Sequence, residues 1–81
     1  MVLWTIYVCG FKANDIYVIE IDNSETFSAL RTKVSKLMNI PFNDLLITGK
    51  EDYDGSFNSK KLSEISGISD DCSLYAMAIL K

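Results

Sequence analysis

The sequence predicts an α+β fold in which one helix covers one face of a sheet. Residues 26–41 carry the only long helical pattern of the chain, and apolar, β-branched segments lie on both sides of it, at 2–9, 16–21 and 74–80. A single amphipathic helix cannot bury its apolar stripe alone, so it requires a sheet to pack against. With 81 residues, the chain is predicted to be a single domain, 1–81, in the order β-β-α-β-(β)-β.

The first two strands are predicted to form an antiparallel hairpin. One face of the first strand carries Val2, Trp4, Ile6 and Val8. The turn-rich stretch GFKAND at 10–15 separates it from the second strand, where Tyr17, Ile19 and Ile21 share a face. A short link between two alternating strands is typical of a hairpin. Trp4 is expected in the core or at the sheet edge.

Periodicity predicts the helix and assigns its two faces. The apolar stripe consists of Phe27, Leu30, Val34, Leu37 and Met38, at the i, i+3, i+4, i+7 spacing. The opposite face is predicted to carry Arg31, Lys33 and Lys36.

Both helix ends have recognisable signals. Ser24 or Thr26 can cap the first turn by accepting a backbone N–H. Asn39 suits the left-handed position that ends a helix, and Pro41 prevents its continuation.

The remainder of the chain is predicted to add short elements and one central strand. Residues 44–48 form a short strand, 49–61 a polar loop with at most an edge strand, and 62–65 a helical turn. The segment 74–80 is almost wholly apolar, which favours a central strand. Alternation alone allows Tyr75, Met77 and Ile79 to point either toward the helix or away from it, because a one-residue slip exchanges the faces.

Composition argues against catalysis and against cofactors. The chain has no histidine, so the commonest general base and zinc ligand is missing. Its two cysteines, Cys9 and Cys72, are too few for a cysteine-rich metal site and are predicted to be free thiols of a cytoplasmic or nuclear protein. The acids Asp52, Asp54, Asp70 and Asp71 are interpreted as solvated turn residues. We therefore predict no enzyme activity, no cofactor and no metal.

Charge and hydropathy also exclude two classes of partner. The net charge is −3, and no Lys/Arg-rich stripe is present, which argues against nucleic acid. No segment is long enough to span a bilayer, and residues 1–11 alternate as a strand does rather than forming a signal peptide.

The chain resembles the ubiquitin-like (β-grasp) family over almost its whole length. The similar segments are the helix from Thr26, Ile40-Pro41, the LLITGK segment at 45–50, Asp54-Gly55, the LSE turn at 62–64, and Ser73-Leu74. No single motif is specific, but their order and spacing together are. The resemblance implies a mixed sheet of four to five strands whose first and last strands lie side by side and parallel at the centre.

The resemblance also implies a binding surface on the sheet face away from the helix. The Ser73-Leu74 match turns Tyr75 and Met77 outward, beside Leu46. Phe11 matches an apolar loop residue that flanks the same surface in ubiquitin, although it could fold back as a structural plug. Lys50 matches a ubiquitin lysine that accepts chain linkage, although it could be an ordinary surface lysine. Tyr7 is a further candidate for the rim.

Two departures from the family bear on function. The loop between Lys50 and Leu62 is longer than in ubiquitin and adds Tyr53 and Phe57, which are predicted to form a secondary interaction loop. The chain ends AILK at 78–81, without the Gly-Gly tail that conjugated modifiers and ubiquitin-like sulfur carriers need. The expectation is therefore that this chain is not conjugated.

The resulting hypothesis is a monomeric, non-catalytic interaction module. Its expected partners are proteins of the ubiquitin–proteasome pathway: ubiquitin-binding helical motifs, proteasome receptors or ligase components. The alternative is a structural subunit of a stable complex, as elongin B is in ligase assemblies, in which Tyr53 and Phe57 would be buried against a partner.

Overall fold

A computed structural model describes residues 2–10 and 15–79 of the chain. They form strands β1 (Leu3–Cys9), β2 (Ile16–Asp22), β3 (Leu45–Thr48), β4 (Asp52–Tyr53) and β5 (Ser73–Ala78), and helix α1 (Phe27–Met38). They also form short 3₁₀ turns at Phe42–Asp44, Gly55–Phe57 and Leu62–Glu64.

The strands of the described residues make one sheet in the order β2-β1-β5-β3-β4. β1 and β5 pair in parallel, whereas the β1–β2, β3–β5 and β3–β4 pairs are antiparallel. The α+β class, the mixed sheet and the adjacent first and last strands are thereby confirmed.

The core lies between α1 and one face of the sheet. Alternation along the first hairpin supplies that face: Ile6 pairs with Ile19 and Trp4 with Ile21. Trp4 is half-buried and packs against the core, as expected. The buried apolar residues are Ile6, Val8, Ile19, Ile21, Phe27, Leu30, Val34, Leu45, Ile47, Tyr53, Leu62, Ile65, Ile68, Leu74 and Ala76.

Both predicted helix ends are confirmed. The Thr26 hydroxyl accepts the Ala29 N–H at 3.4 Å, so Thr26 is the cap. Ser24 instead donates its N–H and its hydroxyl to the Asp22 carboxylate. At the other end Asn39 takes the left-handed conformation, with φ 56° and ψ 43°.

Two helix residues lie on the opposite face from the one predicted. Arg31, assigned to the polar face, is only 7% exposed, whereas Leu37, assigned to the apolar stripe, is 51% exposed. Arg31 stands four residues after Phe27 and three before Val34, so the spacing that selects the stripe also includes it. Its charge, not its position, led to the wrong assignment.

Arg31 connects the helix to the segment that enters β3. Its Nη2 atom donates to the carbonyl oxygens of Leu45 at 2.8 Å and of Phe42 at 3.0 Å, and Nη1 donates to Asn58 Oδ1 at 3.0 Å. The guanidinium also lies 4.5 Å from the centroid of the Phe42 ring. Burial lowers the pKa of Arg31, an effect that the Asp54 carboxylate opposes.

Cys9 and Cys72 are both free and half-buried. Among the helices of the described residues, none is long and apolar enough to cross a membrane.

Candidate protein-interaction surface

The side chains of β5 alternate between the core and solvent. Leu74 and Ala76 are 1% and 2% exposed, whereas Tyr75 and Met77 are 57% and 37% exposed. The two orientations that the sequence left open are therefore resolved, with Tyr75 and Met77 on the face away from α1.

The register between β3 and β5 brings the predicted residues of these strands together. Leu46 is directly opposite Met77, and Thr48 is directly opposite Tyr75. Opposite residues of an antiparallel pair have their side chains on the same face, with Cβ atoms about 4.5–5.5 Å apart. Leu46, half-buried, thus lies beside Met77. We call Leu46, Tyr75 and Met77 the outer-face patch.

Apolar side chains continue on this face from β5 across β1 to β2. Tyr75 pairs with Cys9, Cys9 with Ile16, and Tyr7 with Val18. Ile16 and Val18 are 58% and 59% exposed, more than most aliphatic residues of a small domain. Sequence reasoning singled out Tyr7 but missed Ile16 and Val18. Alternation along β2 could have identified both residues. Because Tyr17, Ile19 and Ile21 face the core, Ile16 and Val18 must face away from it.

The other two residues predicted for the patch are Lys50 and Phe11. Lys50 is exposed and follows β3 in the turn. Its Cβ and Cδ atoms lie 3.3 and 3.4 Å from the position that a Cβ atom would take on Gly67, so its stem runs along the Gly67 turn. A role for Lys50 at the rim stays a prediction. Phe11 lies outside the described residues.

The prediction of an interaction loop requires correction at Tyr53. Its side chain is 1% exposed and belongs to the core. The Tyr53 ring lies 5.8 Å from that of Phe27 and 5.3 Å from that of Phe57, centroid to centroid. Phe57 is half-buried, and the Lys60 ammonium lies 4.9 Å from its ring centroid. The added aromatic residues therefore extend the core, because Tyr53 is opposite inward-facing Ile47 in the sheet.

The hydroxyl of Tyr53 explains a glycine in the facing turn. It donates to the Ser66 carbonyl at 2.9 Å. Gly67, with φ 91°, passes so close that an added Cβ would collide with that hydroxyl oxygen. Burial raises the pKa of Tyr53, and the nearby Glu51 carboxylate acts in the same direction. The Tyr53 hydrogen bond thus connects β4 to the Ser66–Gly67 turn, which precedes β5.

The chemistry of the outer-face patch is suited to burial against another protein. It offers an aromatic ring, a flexible thioether and a branched aliphatic side chain, which together provide adaptable apolar area. In the part of the chain that the structure describes, no group of three or more Cys, Asp or Glu side chains could hold a metal ion.

Comparison with known proteins gives matches in structure but none in sequence. No family model and no curated protein matches the chain. Ubiquitin of Caldiarchaeum subterraneum superposes with a TM-score of 0.79 at 17% identity, over 98% of this chain and 96% of that one. A ubiquitin-like domain of an Arabidopsis thaliana protein gives 0.79 at 18% identity, over 98% of this chain and 80% of that one.

The described residues therefore adopt the ubiquitin-like β-grasp fold, as the resemblance implied. A further match is a chain from the crystal structure of ATBAG1 in complex with HSP70, with a TM-score of 0.75 and 17% identity. It covers 94% of this chain but 40% of that one. At these identities the likeness concerns the fold alone.

Proposed function

We propose that this chain is a non-catalytic protein-interaction module that binds partners of the ubiquitin–proteasome pathway through the outer-face patch. The observation that carries the proposal is the exposure of Tyr75 and Met77, at 57% and 37%, on the face opposite to the core. An antiparallel sheet face that meets only water usually carries polar residues at such positions. Adjacent apolar side chains on a protein surface mark interaction sites.

The dimensions of the patch fit the apolar face of a helix. Tyr75 and Met77 are two residues apart on one strand, or about 6.6 Å. Leu46 lies across the strand pair from Met77, with Cβ atoms about 5 Å apart. Residues at i and i+3 or i+4 of a helix have Cβ atoms about 5–6 Å apart. A helical ubiquitin-binding motif could therefore place two successive apolar residues over the patch.

The alternative role, as a subunit held in a complex by the Tyr53–Phe57 loop, loses its main support. Tyr53 is buried within the chain and has no side-chain surface to offer a partner. The proposal accordingly concerns a monomer that binds reversibly, in the cytoplasm or nucleus, where the free thiols Cys9 and Cys72 would persist.

The chain is also proposed to act without being conjugated, on the basis of the family resemblance. None of its four glycines are adjacent, so the 81 residues contain no Gly-Gly pair. The intact mass of the natural protein, with and without treatment by a ubiquitin-activating enzyme, tests this part. A covalent adduct would overturn it.

The test of binding is an amide chemical-shift titration with a ubiquitin-binding helical peptide and, separately, with a proteasome receptor domain. Shifts are expected to cluster on Leu46, Tyr75 and Met77 with at least one of these partners. Met77→Ala should weaken binding about 5- to 30-fold, corresponding to roughly 1–2 kcal/mol. Leu37→Ala is the matched control, because Leu37 is similarly exposed but lies on the helix.

Two outcomes contradict the proposal. Saturating amounts of both partners could leave the spectrum unchanged, or Met77→Ala could weaken binding no more than Leu37→Ala does. Thermal unfolding of each variant, measured in parallel, ensures that any lost affinity is not lost folding.

A further inference from the structure

A pocket of about 310 Å³ lies at the margin of the outer-face patch, where α1, the start of β3 and the loop after β4 meet. Leu46 lines this pocket and also belongs to the patch, and Ile79, 44% exposed, lines it two residues beyond Met77. Its polar lining includes Arg31, Asp54 and Asn58. Asn58 belongs to the loop that is longer than in ubiquitin, so that loop supplies part of the pocket wall.

Arg31 brings unused hydrogen-bond donors to this pocket. A guanidinium has five N–H donors. Within residues 2–10 and 15–79, Arg31 makes three hydrogen bonds, two from Nη2 and one from Nη1. Its Nε atom is buried without a partner among these residues, and the whole side chain is only 7% exposed. Because a buried charged donor without an acceptor is unfavourable, the guanidinium is suited to bind one further acceptor.

Asp54 supplies an acceptor on the wall of the same pocket. Its Oδ1 atom accepts hydrogen bonds from the Ser56 N–H, at 2.9 Å, and from the Ser56 hydroxyl. These bonds lower the pKa of Asp54, and the charge of Arg31 acts in the same direction, so the group is a carboxylate at neutral pH. Since Ser56 occupies Oδ1, the second oxygen is open to a further donor. Arg31 and Asp54 line the pocket together but form no direct ion pair.

The two charges of the lining select a neutral occupant that both donates and accepts. A carboxylate would accept from Arg31 but would be repelled by Asp54, and an ammonium group would meet the opposite conflict. An apolar group would leave both polar side chains without a partner. A primary amide carries an acceptor oxygen and two N–H donors on neighbouring atoms, so it can satisfy both side chains at once.

The remaining lining suits the stem of such a side chain. Phe42, Leu46 and Ile79 offer apolar surface on which methylene groups gain from burial. The Phe42 ring also lies 4.5 Å from the Arg31 guanidinium, centroid to Cζ, and helps to hold that group in place. A donor that is fixed before binding loses little freedom when the ligand arrives.

We propose that this pocket binds the carboxamide of a glutamine or asparagine side chain of a partner protein, with its oxygen on Arg31 and its N–H group on Asp54. Ile79 lies two residues beyond Met77, or about 6.6 Å along an extended chain. Four residues of a helix span about 6 Å. A helix that covers Met77 therefore brings the residue one turn away to the pocket. This last step rests on the proposed function, whereas the preference of the pocket for an amide does not.

The first experiment uses three small probes of similar size: propionamide, propionate and propylamine. The readout is the Arg31 Nε–H resonance in ¹H–¹⁵N spectra, together with the backbone amides of Gly55 and Asn58, which line the pocket. Propionamide should shift these signals in a saturable way. Propionate and propylamine, at equal concentration, should shift them several-fold less, because each meets a like charge in the pocket.

Two variants test the roles of charge and space. Asp54→Asn keeps an oxygen for Ser56 but removes the negative charge, so propionate should then bind at least as well as propionamide. Glu20→Gln makes the same change in net charge on β2, at the other end of the sheet, and should leave the preference for the amide unchanged.

Gly55→Leu should fill the pocket without disturbing the backbone. An added Cβ on Gly55 would have only Asn58 Nδ2 within reach, at 3.8 Å. Propionamide binding should therefore be lost in this variant while thermal unfolding stays close to that of the natural chain. If Gly55→Leu fails to fold, the change of preference in Asp54→Asn still tests the proposal.

The link to the outer-face patch is tested with the helical peptide of the binding experiment. Gln, Glu, Lys or Leu is placed four positions before or after the peptide residue that covers Met77. Gln should bind about fivefold more tightly than Leu at one of these positions, the usual effect of about one hydrogen bond. Glu and Lys should bind no better than Leu, and the advantage of Gln should disappear in Gly55→Leu.

The possible outcomes separate this proposal from the proposed function. An unmoved Arg31 Nε–H signal, equal shifts from the three probes, or an unchanged preference in Asp54→Asn would overturn the amide site and leave the pocket to water. Binding of propionamide without any advantage of Gln in the peptide would overturn the link to the patch. If the helical peptide does not bind at all while propionamide does, the proposed function fails and the amide site stands.

Discussion

The two faces of β5 differ in solvent exposure, although residues of the inner and outer face alternate one by one along the strand. On the inner face Leu74 and Ala76 are almost completely buried, whereas on the outer face Tyr75 and Met77 are exposed. Two large side chains, Tyr75 and Met77, are outside while the small side chain of Ala76 belongs to the core, which is the reverse of what residue volume suggests. The register of the sheet determines which β5 side chains face the core. Leu74 is opposite Val8 and Ala76 is opposite Ile47, and both Val8 and Ile47 face the core. Volume alone is therefore a poor guide to the orientation of a central strand.

The inner face should respond most strongly to truncation. Leu74 is 1% exposed and packs over Gly49, where its Cδ2 atom lies 2.8 Å from the position of an added Cβ. Leu74→Ala is expected to lower the free energy of unfolding by about 2–5 kcal/mol, through lost burial and a cavity. Denaturant unfolding measures this loss, with Leu37→Ala as a control for an exposed leucine. A loss below about 1 kcal/mol would mean that the two faces of β5 are reversed.

Substitution of Arg31 should lower the free energy of unfolding by less than Leu74→Ala does, because Arg31 stabilises the fold through hydrogen bonds rather than through apolar burial. Arg31→Met keeps much of the apolar stem but removes the donors to the Leu45 and Phe42 carbonyls. We expect the free energy of unfolding to fall by about 1–3 kcal/mol, the cost of unsatisfied buried acceptors. Lys33→Met, on the exposed side of the same helix, should change it by no more than about 0.5 kcal/mol. An unchanged or increased stability of Arg31→Met would show that the guanidinium is dispensable for the fold.

Most of the fold could be predicted because local signals agree with one another. The hairpin follows from alternation and a turn-rich link, and the helix ends follow from Thr26, Asn39 and Pro41. The facing of β5 could not be obtained from alternation, and the correct choice depended on the resemblance at Ser73-Leu74. Binding by the outer-face patch itself stays a prediction, because exposure shows availability rather than a partner.

The wrong assignments share a physical cause: tertiary partners overrode the residue type. Arg31 is buried because carbonyl oxygens distant in sequence, at Phe42 and Leu45, accept hydrogen bonds from its guanidinium. Tyr53 is buried because the two-residue strand β4 pairs it with inward-facing Ile47. A strand of two residues has no detectable hydrophobic period, so the sequence alone could not predict this orientation.

Substitutions on the outer face of β5 should change the free energy of unfolding least, but they should clearly weaken binding of the helical peptide. Tyr75→Thr replaces an exposed side chain by one that suits a strand, so the free energy of unfolding should change by no more than about 0.5 kcal/mol. Affinity for the helical peptide, measured by the same shift titration, should nevertheless fall several-fold, because the largest side chain of the patch is gone.

Tyr7→Thr is the control for this change. Tyr7 lies on the same face but one strand away, opposite Val18 and beyond the outer-face patch. Its replacement should leave affinity for the helical peptide within about twofold, since the Tyr7 ring is not one of the three side chains of the patch. Equal losses in the two variants would mean that the binding surface extends over the whole apolar face from β3 to β2. A loss of stability above about 1.5 kcal/mol for Tyr75→Thr would instead make that ring a structural element. In that case the difference between the two faces of β5 would lie in solvent exposure alone.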